Sequence, residues 1–227
     1  MKKVKAIIRS ELLPLAIILV LVTSVRSSLA DHYYVPSGSM EYSLLPGDRV
    51  IVDKTAYGIR LPYTKIDLID RNDPMPGEVV VFDSPRNGTL LIKRVVAIAG
   101  NRVALSDGRL NVNGKTLALP AQEGIEQFAG REALLNLQDG SGPDINEITV
   151  PSGMLLVLGD HRGDSIDGRF FGFIDKKEIY GRAVGIYYRR GDGFLWRNIR
   201  VVHHPARGWA GEFSDYIVMD QTMETSR

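Results

Sequence analysis

Leu90-Leu91-Ile92-Lys93-Arg94-Val95-Val96-Ala97-Ile98 is an aliphatic run interrupted by two adjacent cations. Branched side chains suit a pleated surface better than a helix, so a strand is expected over Leu90 to Ala99. Alternation puts Lys93 on one face with Leu91, Val95 and Ala97, and Arg94 on the other with Ile92 and Val96. Both faces are otherwise apolar, so at least one charge is partly buried or lies at a sheet edge. Burial strips water from an ammonium group and lowers its pKa. A fall from about 10.4 to about 8 costs on the order of 3 kcal/mol. A lysine so tuned can serve as a general base, which arginine cannot. The plainer reading is an exposed lysine guarding an edge strand.

Outward from this run the chain keeps a β character, with short Val/Ile/Leu stretches punctuated by Gly, Pro, Asn and Asp. Further strands are expected over Arg49 to Lys54, Glu78 to Asp83, Arg102 to Leu105, Arg109 to Asn113, Met154 to Leu158 and Arg182 to Tyr188. Asn113-Gly114 signals a type I′ hairpin, and Pro46-Gly47-Asp48 and Pro76-Gly77-Glu78 read as turns feeding strands. Residues from about 118 to 150 are less regular and read as part of an insertion or cap. The body of the chain is expected to be mainly β, with an insertion or cap between its two portions.

At the N-terminus, Lys2, Lys3, Lys5 and Arg9 precede an uncharged run from Leu12 to Val25, followed by Arg26 and Ser28-Leu29-Ala30. A secretory signal peptide with small residues before its cut fits this pattern. So does a membrane anchor, although fourteen residues make only about 21 Å of helix unless Arg9, Glu11 and Arg26 reach toward the interface. On either reading the basic start stays cytoplasmic and the body is exported. The 28 basic and 27 acidic residues nearly cancel, which gives nucleic-acid binding little support. With no cysteine and four histidines, thiol catalysis and Cys-based zinc sites are excluded and no metal centre is suggested.

Two further segments carry chemistry. Ser39 lies in Pro36-Ser37-Gly38-Ser39-Met40, where Gly38 permits unusual backbone angles and Pro36 restricts the approach. A serine at its own pKa needs a base within reach, and taken alone Ser-Gly-Ser is simply a turn. Gly159-Asp160-His161-Arg162-Gly163-Asp164-Ser165-Ile166-Asp167-Gly168-Arg169 is a dense polar loop after an apolar strand. Its acids miss the alternate-residue spacing of an EF-hand. It reads better as a hydrogen-bonded scaffold in which Asp167 and Arg169 pair and Ser165 orients a neighbouring amine or hydroxyl. A Ser39, His161 and acid triad would lack the Gly-x-Ser-x-Gly elbow around Ser39.

In chain order, with the Ser39 segment first, then the Lys93 strand, then the polar loop, all after a hydrophobic N-terminus, the three segments resemble type I signal peptidases, membrane-anchored Ser/Lys endopeptidases. The resemblance makes Ser39 the nucleophile, Lys93 its general base, and Ser37 an oxyanion-hole group beside the Ser39 N–H. Ser165 orients the lysine, with Asp167, Arg169 and Asp160 supporting the site. Val35, Pro36, Met40, Leu91 and Ile92 would line shallow pockets for an extended segment of small residues, Ala-x-Ala. In the loop, His161, Gly163, Asp164 and Gly168 replace the family's Asn, Asp, Asn and Ser, which bears on packing and substrate preference.

The resemblance further implies preprotein signal peptides as substrate, a lipid bilayer and the secretion translocon as partners, and no cofactor, metal or nucleic acid. It implies a retained single-pass anchor in the inner or cytoplasmic membrane, with the catalytic domain on the extracytoplasmic side, so that the expected class is mainly β: an N-terminal transmembrane helix, then a β-rich catalytic domain with a small β-rich cap insertion. The expected parts are a cytoplasmic tip and anchor over 1–30, first and second catalytic portions over 31–100 and 154–202, the cap over 101–153, and a tail over 203–227. Self-cleavage after Ala30 is a secondary expectation. The alternatives are a dedicated peptidase of the same fold, processing a conjugation or pilus protein, and a non-catalytic envelope protein that binds extended peptides.

Overall fold

The structure is a computed structural model and describes residues 11–61, 67–120 and 124–199. Helix α1 (Leu13–Ser28) leads through Leu29 into β1 (Ala30–Tyr34). There follow β2 (Arg49–Asp53), β3 (Gly58–Arg60), β4 (Asp67–Asp70), β5 (Val79–Asp83) and β6 (Leu90–Ile98). Next come β7 (Arg102–Ser106), β8 (Arg109–Val112), β9 (Lys115–Thr116), β10 (Ile125–Phe128), β11 (Arg131–Leu134) and β12 (Ile145–Thr149). The chain returns through β13 (Met154–Leu158), the short α2 (Gly168–Phe171), β14 (Ile174–Asp175), β15 (Ile179–Arg189) and β16 (Gly193–Asn198).

The main sheet has the order β1-β2-β15-β5-β6-β13-β14, with β16 also on β15. All its pairs are antiparallel, as the tight Pro-Gly connections allow. In both of these turns the glycine has positive φ, 98° at Gly47 and 89° at Gly77, which suits the third position of a type II turn after proline. A four-stranded sheet, β12-β7-β8-β9, and the β10-β11 hairpin are built from the stretch between β6 and β13. At the expected type I′ turn, Asn113 and Gly114 both take left-handed φ, 55° and 78°, and Val112 pairs with Lys115. Asp107-Gly108 makes the same kind of turn between β7 and β8.

Two expectations change. The irregular stretch from 118 to 150 contains three strands, β10 to β12. They are short and mix Glu126, Gln127, Glu132 and Glu147 with apolar residues, so no apolar run marks them. The expected transmembrane helix is, in the described residues, the 16-residue α1, about 24 Å long. No described helix is long and apolar enough to cross a membrane. α1 stops where pairing begins: Lys54 N–H donates to the Leu29 carbonyl at 3.0 Å, and Ala30 pairs with Asp53. The basic start, residues 1–10, and the tail 203–227 lie outside the described residues.

β6 joins the core. Leu91 and Val95 pack with Val80, Phe82 and Val157, whereas Val96 and Ala97 pack with Leu105, Leu156 and Leu158. Strict alternation would put Ala97 on the face of Val95. An irregularity in the β6–β13 ladder, which pairs Val95 with Val157 but Ala97 with Leu156, breaks the alternation there.

Candidate active site

The two cations of β6 are both buried, each 2% exposed, and their neighbours differ. Lys93 lies opposite Val80 in the β5 ladder, and its Nζ is 2.5 Å from Ser39 Oγ, a hydrogen-bonding distance. Burial is the largest influence on the ammonium and lowers its pKa to about 8; Asp167 and Asp160 pull the other way, and Arg169 adds to the lowering. The amine is thus available unprotonated just above neutral pH, with a hydroxyl in contact. That arrangement can pass the Ser39 proton to Lys93 as the oxygen attacks an electrophilic carbon.

Arg94 is fully paired. Its guanidinium grips Asp160 through Nε at 2.8 Å and Nη2 at 2.6 Å, and donates to the Gly77 carbonyl at 2.7 Å and to Ser43 Oγ at 2.9 Å. Ser43 Oγ donates in turn to Asp160 at 2.5 Å. This buried fork joins the turn after Ser39 to the start of the polar loop. Bidentate geometry compensates the lost hydration of both ions.

Three bonds fix the turn that carries Ser39. Glu41 N–H donates to the Gly38 carbonyl at 2.8 Å, Val35 N–H to the Asp48 carbonyl at 2.9 Å, and Gly47 N–H to the Val35 carbonyl at 2.8 Å. Buried Asp48 accepts from Leu45 N–H and from Arg189. Met40 and Val35 are buried beneath the turn, with Ile92 packed against the same cluster. Ser37 and Pro36 are exposed, and Leu91 is half-buried. The pocket residues expected from sequence therefore split into a buried floor and an exposed rim.

The polar loop folds against this turn. His161 N–H donates to the Ser39 carbonyl at 3.2 Å. Asp167 is fully buried; it caps α2, accepts from Gly159 N–H at 2.8 Å, and pairs with Arg169 through Nε at 2.8 Å and Nη2 at 2.9 Å. The Asp/Arg brace read from sequence is thus present as a bond. Ser165 Oγ is buried and has no hydrogen-bond partner, so its hydroxyl is not bonded to Lys93 here. The His161 imidazole turns to Asp139 rather than to Ser39 Oγ, with Nε2 at 2.8 Å from the carboxylate. Ser39 thus has Lys93 as its neighbouring base, and a His-based triad is not formed.

Sequence reasoning missed the pair that ties the loop to β10. Arg162 and Glu126 are both wholly buried and meet through Nη1 at 3.1 Å and Nη2 at 2.6 Å, and Glu126 also accepts from Leu110 N–H at 3.1 Å. Nothing in the surroundings of Glu126 marks it as buried. Among the described residues no group of three or more His, Asp or Glu is arranged to hold a metal ion.

Residues 8–188 match the family model described as signal peptidase, peptidase S26. The chain is similar to signal peptidase I of Pseudomonas aeruginosa, 32% identical over 196 residues, covering 75% of this chain and 69% of that protein. It is 32% identical over 215 residues to signal peptidase I of Pseudomonas fluorescens, covering 83% and 73% respectively. With signal peptidase I of Aquifex aeolicus it shares 30% identity over 229 residues, covering 79% of this chain and 84% of that one.

Proposed function

The chain belongs to the signal peptidase family, peptidase S26, a family of serine endopeptidases, and from that premise we propose that it removes N-terminal signal peptides from exported preproteins with Ser39 as nucleophile and Lys93 as general base. The observation that carries the reading is the 2.5 Å contact between Lys93 Nζ and Ser39 Oγ at a lysine whose pKa is lowered to about 8. Unprotonated Lys93 takes the hydroxyl proton as Ser39 attacks the scissile carbonyl and returns it to the amine as the C–N bond breaks; the same lysine then takes a proton from the water that attacks the acyl-enzyme and returns it to the Ser39 oxygen as the ester bond breaks. The Ser39 N–H and the exposed hydroxyl of Ser37 stabilise the oxyanion.

A strand edge beside the dyad supports an extended substrate. β5 pairs with Leu90 to Arg94 on one side of β6, but β13 begins its pairing on the other side only at Arg94. Among the described strands none covers that second side over Leu90 to Lys93, so a peptide can add there by backbone hydrogen bonds. Small side chains, Ala-x-Ala, suit a floor of Val35, Met40 and Ile92 that is already packed. Asp160, Ser165, Asp167 and Arg169 steady the site. The domain reading follows: β1 to β6 and β13 to β16 carry catalysis, and β7 to β12 form the cap.

Helix α1 supports contact with a lipid bilayer, because Leu13, Leu15, Ile17, Ile18, Leu19, Val20 and Val22 are all exposed, leaving a broad apolar surface that the described residues do not cover. On this reading the helix holds the body on the extracytoplasmic face of the cytoplasmic membrane, near the translocon. The test is incubation of the purified chain with an Ala-x-Ala preprotein beside its Ser39→Ala variant. Equal cleavage by the two excludes Ser39 as nucleophile.

A further inference from the structure

A second set of ionisable groups lies against the nucleophile turn and takes no part in the proton transfer described above. His161 is 5% exposed, and its ring stands between carboxylates from two other segments. Nε2 is 2.8 Å from Asp139 Oδ2, and Nδ1 is 3.6 Å from Glu41 Oε2. Nδ1 is buried and has no hydrogen-bond partner, and the charged group facing it is the Glu41 carboxylate. Asn136 Nδ2 donates to the same Glu41 oxygen at 3.3 Å.

Glu41 covers the glycine that precedes the nucleophile. A β-carbon added at Gly38 would stand 2.8 Å from Glu41 Oε1, and Glu41 N–H closes the turn on the Gly38 carbonyl at 2.8 Å. His161 therefore meets this turn twice: its N–H holds the Ser39 carbonyl, and its ring faces the side chain that packs on Gly38. The two carboxylates differ in setting. Asp139 is 67% exposed and Glu41 27%, so water screens the Asp139 contact more strongly.

We propose that His161 is a positioning residue for the Ser/Lys reaction, acting through Glu41: its ring keeps the carboxylate seated on Gly38 and so fixes the direction in which Ser39 presents its oxygen to Lys93. This rests on the assignment of Ser39 as nucleophile. A small misalignment of attacking atoms is felt in the rate of the chemical step more than in substrate affinity.

Two amide side chains separate the contacts. The amide nitrogen of asparagine is bonded at the same place as imidazole Nδ1, and that of glutamine matches Nε2. His161→Asn therefore places an amide donor toward Glu41, and His161→Gln places one toward Asp139. The experiment measures kcat, KM and thermal midpoint for the full chain, for Ser39→Ala, and for the Ala, Asn and Gln variants at 161, with an Ala-x-Ala preprotein. The expected result is a kcat lowered about tenfold in the Ala and Gln variants, KM within about twofold, and Asn within about twofold of the starting kcat. On a Glu41→Ala background the three variants should become equal.

The proposal is overturned if Asn and Gln behave alike, if alanine has no effect, if the loss falls in KM, or if kcat only follows the melting midpoint. Cleavage by Ser39→Ala equal to that of the unmodified chain instead sinks the nucleophile assignment, so the two failures are distinct.

Discussion

Gly159 and Ser39 approach so closely that a β-carbon at residue 159 would stand 2.5 Å from the Ser39 carbonyl oxygen and 2.2 Å from Ser165 Oγ. The polar loop can lie on the nucleophile turn only because residue 159 has no side chain. Gly159→Ala should lower kcat at least about tenfold while the far-ultraviolet circular dichroism spectrum is kept, since backbone must shift to admit the methyl group. Undiminished cleavage would show that the loop yields freely.

The contact between Lys93 and Ser39 sets a pH dependence. On the proposed mechanism Lys93 must be unprotonated to accept the serine proton, and its pKa is lowered to about 8. The rate should therefore rise with pH through about 8 and level off above it. Lys93→Ala should abolish processing at every pH while the protein stays folded. A rate flat from about pH 6 to 10 contradicts a lysine base.

The same lysine weakens the fold. Its folded pKa lies below the ordinary 10.5, so between about 8 and 10.5 the unfolded chain binds more protons than the folded one and stability rises with pH. The penalty is fully present below pH 8 and gone above the unfolded value. Lys93→Met should thus add about 3 kcal/mol at pH 7 and progressively less toward pH 10.5, measured by urea unfolding. A gain independent of pH would point to packing instead.

Arg162 and Glu126 give a prediction about integrity. Glu126→Ala leaves a guanidinium wholly buried without its carboxylate, and should destabilise the chain by about 3 to 5 kcal/mol. Replacing both by Met and Leu should recover most of that loss. If the double variant is as unstable as the single one, the pair is not what Arg162 depends on.

Ala30 bears on self-cleavage. Its backbone is held in the β1–β2 ladder opposite Asp53, and β6 lies four places from β1 in the same sheet, so the bond after Ala30 can reach the edge beside Lys93 of its own chain only if β1 leaves β2. Mass spectrometry of the folded protein should find the N-terminus uncut at Ala30. A fragment beginning at Asp31 would show that β1 detaches.

The strands legible in the sequence were those with aliphatic runs: β2, β5, β6, β7, β8, β13 and β15 fall where Val, Ile and Leu cluster. β10, β11 and β12 were hidden because their residues are half polar and each strand is four or five residues long. Lys93 and Arg94 were conspicuous as charges in an apolar strand, and burial of at least one followed from that pattern. Which partner each would take did not, because Ser39 and Asp160 are separated from them by 54 and 66 residues. Arg162 was legible as part of a polar loop, but Glu126 was not, since a buried acid looks like a surface acid until its cation is located. The contact of His161 with Glu41 was equally out of reach, being made across three segments.

Leu29 is the whole connection between α1 and β1, and it is itself bonded to Lys54. The helix is thus joined to the main sheet by one residue whose carbonyl is itself held there, with no long linker between them. Ser39 follows nine residues after Ala30, along a strand and one hydrogen-bonded turn. On the membrane-anchored reading proposed above, that short bonded stretch would set the height of the serine above the bilayer, where a long linker would let it sample a range of heights.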